Sequence, residues 1–212
     1  MKKTVKLLVI VMCVVMILAS CTAPIVPKNP ALDGVGGTVN GDGTITLPGG
    51  VVATPDGFVA GEIVDGCVKN PDGSVSKPEV LTDDEYLMVY KVAKFFGSAN
   101  GDLELRNKFK ENNDEKNNRF SMTLTEPHTV DKKACNINGK ALTLHSLTYV
   151  IQHSGTEVDP KVTINGVIIF SVEGDSTKHT FQQSTKDSEA TVNVYDGKVM
   201  DVSKAPADPD NH

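Results

Sequence analysis

Apolar residues recur with two different periods along this chain, and the change from one to the other sets out its elements. Tyr86, Val89, Tyr90, Ala93 and Phe96 fall three or four apart, which predicts a helix over about 83–96. Thr82-Asp-Asp-Glu85 opens it as a capping box: the Thr82 hydroxyl can accept from the Glu85 N–H while the Glu85 carboxylate reaches back to the Thr82 N–H. Leu81 and Tyr86 stand at the staple positions, and Gly97 supplies a stop. From Phe120 onward the period is two, with Phe120, Met122 and Leu124 alternating with Ser121, Thr123 and Thr125. Further strands are predicted at about 133–137, 140–153, 161–164, 167–172, 177–183, 190–195 and 198–202, with Asn138-Gly139, Asn165-Gly166 and Asp196-Gly197 as tight turns. Between helix and strands, Leu105 with Phe109 and Glu104 with Lys108 favour a second short helix over 102–110, followed by a polar loop over 112–118. No βαβ alternation is present to build a parallel sheet. The predicted fold class is therefore α+β: one main N-terminal helix packed on a predominantly antiparallel β-sheet, preceded by a turn-rich, hairpin-like segment.

At the N-terminus, Lys2, Lys3 and Lys6 precede the unbroken apolar run from Leu7 to Leu18. As a helix that run would be about 18 Å long, too short for a hydrocarbon core of about 30 Å. A basic start, a short apolar centre and small residues beyond it are the pattern of a secretory signal. Leu18-Ala19-Ser20-Cys21 closes the run, and here the chain resembles the bacterial lipoprotein signal family, whose motif is an aliphatic residue, two small residues and a Cys. The resemblance covers about 22 residues. It implies a diacylglycerol on the Cys21 thiol, cleavage before Cys21, and acylation of the new N-terminus. Two or three acyl chains, at about 0.8 kcal/mol per buried methylene, would hold the mature chain on a membrane stably. The expected domain organisation is a signal peptide (1–20), a lipidated extended tether (21–32), a Gly/Pro/Asp-rich turn-repeat segment (33–80), an α+β body (81–204) and a disordered tail (205–212).

Residues 22–80 hold 7 of the 11 prolines and 11 of the 18 glycines but one aromatic, Phe58, so they cannot build a core like that of the body. Val52-Ala-Thr-Pro-Asp-Gly-Phe-Val59 and Val68-Lys-Asn-Pro-Asp-Gly-Ser-Val75 align with a period of 16, and Val39-Asn-Gly-Asp-Gly-Thr-Ile45 is a shorter copy. In the two longer copies Pro presets the first turn position; in all three Asp accepts a local backbone bond and Gly takes the positive φ. This describes either a small array of hairpins or a flexible spacer with recurrent turns, since short hairpins are barely stable alone.

The chain has 212 residues and a formal charge of −6, which becomes −9 once the first twenty residues, with three lysines and no acid, are removed. That field disfavours nucleic acid as a partner, and 5% aromatic residues with no Trp offer no stacking platform for bases. Cys67 and Cys135 are the two thiols left after Cys21 is acylated. In an extracytoplasmic compartment they could form a disulfide closing a loop of about 70 residues, stabilising by roughly 4 kcal/mol, or remain two unrelated thiols. Asn70, Asp72, Gly73 and Glu79 resemble part of a calcium loop, but Val68 would occupy its first ligand position, and a turn is the better reading. His145 and His153 would lie about 27 Å apart on a regular strand, too far for one metal. His128 and His179 sit in no metal-binding spacing, and no nucleophile-elbow, phosphate-loop or dinucleotide motif occurs. No catalytic residue, metal or cofactor is assigned.

These readings predict a non-enzymatic, lipid-anchored cell-envelope protein, extracytoplasmic and on the outer membrane or surface rather than the inner membrane. Its expected role is display, attachment or scaffolding through an envelope protein or polysaccharide partner. The alternative is a small-molecule or lipid-binding lipoprotein, in which helix and sheet enclose an apolar cavity. Cys21→Ala should abolish acylation and release the protein from membranes; sedimentation after a high-salt wash checks this, and a variant still pelleting with lipid contradicts the anchor.

Overall fold

The structure is a computed structural model that describes residues 32–98, 105, 107–133, 135–156, 158–186 and 190–206. The signal peptide and Cys21 lie outside the described residues, as does most of the 205–212 tail. Strands β1 (Thr38–Val39), β2 (Ile45–Thr46) and β3 (Val52–Ala53) form one small antiparallel sheet, and β4 (Glu62–Val64), β5 (Cys67–Lys69) and β6 (Val75–Ser76) form a second. Helix α1 (Asp83–Ser98) follows. The remaining strands are β7 (Phe109–Asp114), β8 (Arg119–Leu124), β9 (His128–Val130), β10 (Leu142–Gly155), β11 (Pro160–Val172), β12 (His179–Lys186), β13 (Ala190–Tyr195) and β14 (Lys198–Val199). They make one eight-stranded sheet in the order β14-β13-β12-β11-β10-β8-β7, with β9 also pairing β10, and every ladder is antiparallel.

Strand residues far outnumber helical ones, so the fold is β-rich and the α+β class predicted from the sequence is corrected. The physical reason is one of proportion. Helix α1, 16 residues long, covers only part of one face of the sheet, while the turn repeats contribute six strands of their own.

Both faces of the sheet are apolar near its middle. Towards α1, Leu144, Leu147, Ile168, Phe170 and Tyr195 pack with Tyr86, Val89, Val92 and Phe95 of the helix. On the opposite face, Val167 and Ile169 pack with Leu32, Val35, Leu47 and Ala53, and Val192, Val194 and Val199 pack with Val51 and Val68. The turn-repeat segment is thus a covering layer for the sheet. A bulge between Leu144 and Ser146 lets Leu142 and Leu144 share the helix side with Leu147 and Tyr149 despite the odd spacing.

Several local expectations are met and others are corrected. The capping box forms: Thr82 N donates to Glu85 Oε2 at 2.9 Å and Glu85 N to Thr82 Oγ1 at 3.3 Å. The stripe that α1 buries is Tyr86-Val89-Val92-Phe95, with Ala93 exposed, where the sequence spacing placed Ala93 on the core face. Asn138-Gly139 and Asp196-Gly197 are turns with positive φ at both residues. Asn165-Gly166 is not a turn. Strand β11 runs straight through it, because Asn165 and Gly166 pair with Val150 and Tyr149 on one side and with Ser184 and Gln183 on the other. Phe109–Asp114 is an edge strand in place of the helix end and polar loop expected there, and no strand forms over 133–137 among the described residues.

The layers meet where the Asp196-Gly197 hairpin touches the turn after β2. Gly49 N donates to Asp196 O at 2.8 Å and Val51 N to Gly197 O at 3.0 Å. A Cβ on Gly197 would stand 2.6 Å from Leu47 Cβ, at a φ of +84° that L residues rarely adopt. Gly197→Ala should therefore cost about 2–4 kcal/mol of strain and lost packing. Gly41→Ala, whose added Cβ meets nothing within 4 Å, should stay within about 0.5 kcal/mol. Urea melts of the two variants check the contrast.

Candidate ligand-binding cleft

Two rows of side chains cross the helix-side face of the sheet in direct register. Leu147, Ile168, Phe181 and Tyr195 stand opposite one another on β10, β11, β12 and β13. One pleat further along, the same four strands contribute Tyr149, Gly166, Gln183 and Asn193. The first row is apolar and lies in the main core; the second changes to an aromatic ring, a glycine and two amides.

Over this change α1 does not close down on the sheet. A cavity of ≈ 440 Å³ is left, roofed by Val89 and Ala93, flanked by Met200, and floored by Leu147, Ile168 and Phe181 of the first row and by all of the second. Its size is that of a small-molecule site. Two residues keep it open. Gly166 has no side chain, and the Tyr149 ring leans over it so closely that a Cβ there would lie 3.1 Å from Tyr149 Cδ2. Ala93 is the short residue of the helix above. Burial pushes the Tyr149 hydroxyl above its ordinary pKa, so the ring enters the cleft as an uncharged surface. At the mouth, Gln183 Nε2 donates to Asn193 Oδ1 at 3.3 Å. Among the described residues, no charged side chain lines the cleft.

Beside the apolar row lies a polar cluster. His179 Nδ1–H donates to Asp196 Oδ2 at 2.7 Å, and Asp196 Oδ1 accepts from Thr180 N at 2.7 Å. The Tyr195 hydroxyl lies 3.0 Å from His179 Nδ1 and donates to Met88 Sδ at 3.4 Å, and the two rings stack at 5.7 Å. Lys198 Nζ meets Glu85 Oε1 at 2.8 Å, tying the hairpin to the helix start. Burial raises the Glu85 carboxyl, but the bonds from Lys198 and Thr82 outweigh it and hold the group below its ordinary pKa. With Asp196 occupied by a backbone N–H and an imidazole, the cluster works as a clamp between β12 and the hairpin.

The sequence-predicted residues are distributed elsewhere. Cys67, on β5, is partly exposed, with Sγ 3.7 Å from Asp65 O. Cys135 is buried in the helix-side core, with Sγ 3.9 Å from Lys91 O, and burial raises its thiol pKa. Both are free thiols, and the two are not brought together as a disulfide. They belong to layers on opposite faces of the sheet, Cys67 beside Val68 and Cys135 beneath α1. Asp42 and Asp72 accept from Thr44 and Ser74 within their own turns, which holds both carboxyls below their usual range. No group of three or more metal-ligating side chains occurs among the described residues, and no described helix is long and apolar enough to cross a membrane. His145 Nε2 lies 2.8 Å from Ser171 Oγ.

Sequence reasoning missed Gly166, Gln183 and Asn193. The available signal was a glycine inside an alternating run, which marks a close approach as readily as a turn. No known protein family, curated protein or solved structure matches the chain.

The clamp should be visible in the pH dependence of stability. The hydrogen bond that His179 donates to Asp196 raises the His179 pKa, opposed by burial and reinforced by the charges of Asp196, Asp175 and Glu85. A raised folded-state value means that this contribution is complete below about pH 6.5 and is lost as pH rises through the folded pKa. Denaturant titrations should show stability declining from pH 6 to pH 8.5 in the wild type, with a shallower decline in His179→Gln. Parallel curves would contradict the assignment.

Proposed function

We propose that this protein is a non-enzymatic, lipid-anchored bacterial cell-envelope protein whose body holds a small apolar molecule in the cleft between α1 and the sheet. The observation that carries the reading is the ≈ 440 Å³ cavity between Val89 and Ala93 of the helix and Leu147, Ile168 and Phe181 of the sheet. Helix and sheet enclosing an apolar cavity is the arrangement a ligand carrier needs, whereas a display module requires only a filled core. The location rests on Leu18-Ala19-Ser20-Cys21, which would fasten the body by acyl chains at one end. Display towards a polysaccharide is a second reading. One observation favours it: the first and third turns of the repeat segment bring Asn40, Asp42, Thr44, Thr46 and Asp72 together along a polar depression of ≈ 420 Å³.

A photoreactive alkane tests the main reading. A diazirine-bearing octane, irradiated with the full-length acylated protein in phospholipid nanodiscs, should label peptides from α1 and β12. Ala93→Phe, which fills the roof from an exposed helix position, should reduce that labelling at least tenfold without lowering the melting temperature. Equal labelling of the two proteins would contradict ligand binding in the cleft.

A further inference from the structure

The lining of the cleft also limits the chemistry of its occupant, and this step rests on the binding reading above. We infer that the ligand is an uncharged amphipath: an alkyl or similarly apolar body with a hydroxyl or amide head that both donates and accepts hydrogen bonds.

The body is specified by the inner row. Leu147, Ile168 and Phe181 below and Val89 above present no polar side-chain atom, so an apolar chain lying between them exchanges water for hydrocarbon contact. The head is specified by the outer row. Gln183 and Asn193 face each other across β12 and β13, and their mutual bond uses one amide hydrogen of Gln183 and the oxygen of Asn193. The Gln183 oxygen and the Asn193 amide hydrogens remain as an adjacent acceptor and donor. A hydroxyl or amide answers both at once. A carboxylate answers the donor alone and an ammonium the acceptor alone.

Charge decides against the ionised alternatives. A carboxylate drawn into this cleft would leave water without meeting a cation, because none of the described lining residues is basic, and an ammonium would meet no acid. Burying an unpaired charge is costly, whereas a neutral head loses little when both of its hydrogen bonds are replaced. Lys198 and His179 are already engaged within the protein, by Glu85 and Asp196 respectively.

A diazirine-bearing octanol, photolysed with the full-length protein in nanodiscs and mapped by peptide mass spectrometry, tests the inference at pH 7. Unlabelled 1-octanol, octanoate and octylammonium then compete at matched free concentrations. The expected result is labelling on α1 and β12 that octanol displaces at concentrations at least tenfold below those of either ion. Equal or better competition by octanoate or octylammonium overturns the neutral-head inference while leaving cleft binding intact. Absence of octanol and octane labelling from the cleft overturns the binding reading itself. The double variant Gln183→Leu, Asn193→Val should keep its labelling by diazirine-octane, which also reports a folded cleft, and lose the preference for octanol over octane by about tenfold. An unchanged preference would show that the amide pair does not read the head group.

Discussion

Strand β11 carries Val167-Ile168-Ile169-Phe170 at the centre of an antiparallel sheet, and four consecutive apolar residues must point alternately to both faces. Each of these side chains is 9% exposed or less, so neither face is left to water. Antiparallel sheets commonly leave one face solvated. This one cannot, and the rest of the architecture follows from that constraint. The chain has two covering pieces of unequal quality: a helix with a regular apolar stripe, and a repeat segment with almost no aromatic residues. The helix takes the side of Ile168 and Phe170, while the repeats take that of Val167 and Ile169.

The dependence runs the other way as well. Strands of two or three residues, as in β1–β6, have too few ladder bonds to persist alone. They are held by Leu47, Val51 and Val68 buried against the sheet and by polar clamps between the small units. Asn70 is the clearest clamp. Buried to 3% exposure, it accepts from Val52 N at 3.0 Å and donates to Gly50 O at 3.1 Å and to Ser74 Oγ at 3.0 Å, joining the second small sheet to the first. Asn40 makes the matching bond to Thr44 within its own turn but reaches no second sheet. The same sequence element therefore serves as a turn at one site and as a crosslink at another. Its role is set by what packs beside it.

How much of this was legible in the sequence depended on how local the cause was. The α1 capping box, the Phe120-Met122-Leu124 alternation and the Asp196-Gly197 hairpin are decided within a few residues, and they stand in the structure as their patterns imply. The fold class was not legible, because the balance of helix to strand depends on whether the repeats form strands at all, and only their contact with the sheet decides that. Gly166 shows the same limit within one dipeptide. Asn138-Gly139 and Asn165-Gly166 carry the same local signal; the second pair is extended because long partners on both sides supply ladder bonds that a turn would forfeit. The cleft was illegible with it, since its floor is a glycine read as a turn and its mouth two amides without a motif. The fate of Cys67 and Cys135 was equally non-local, set by which layer each joins.

The change of row also explains why the cleft can persist. Val89 and Ala93 stand over it without filling it, so part of the sheet face beneath α1 is not in contact with the helix. An apolar face left open there would be an aggregation hazard. Instead, one pleat along the strands from Leu147-Ile168-Phe181-Tyr195 the same four strands carry Tyr149-Gly166-Gln183-Asn193, and the sheet turns polar. A gap bounded by hydrocarbon within and amides without is what that transition leaves. The composition that makes the gap tolerable in water is the same composition on which the proposed preference for a molecule half apolar and half polar rests.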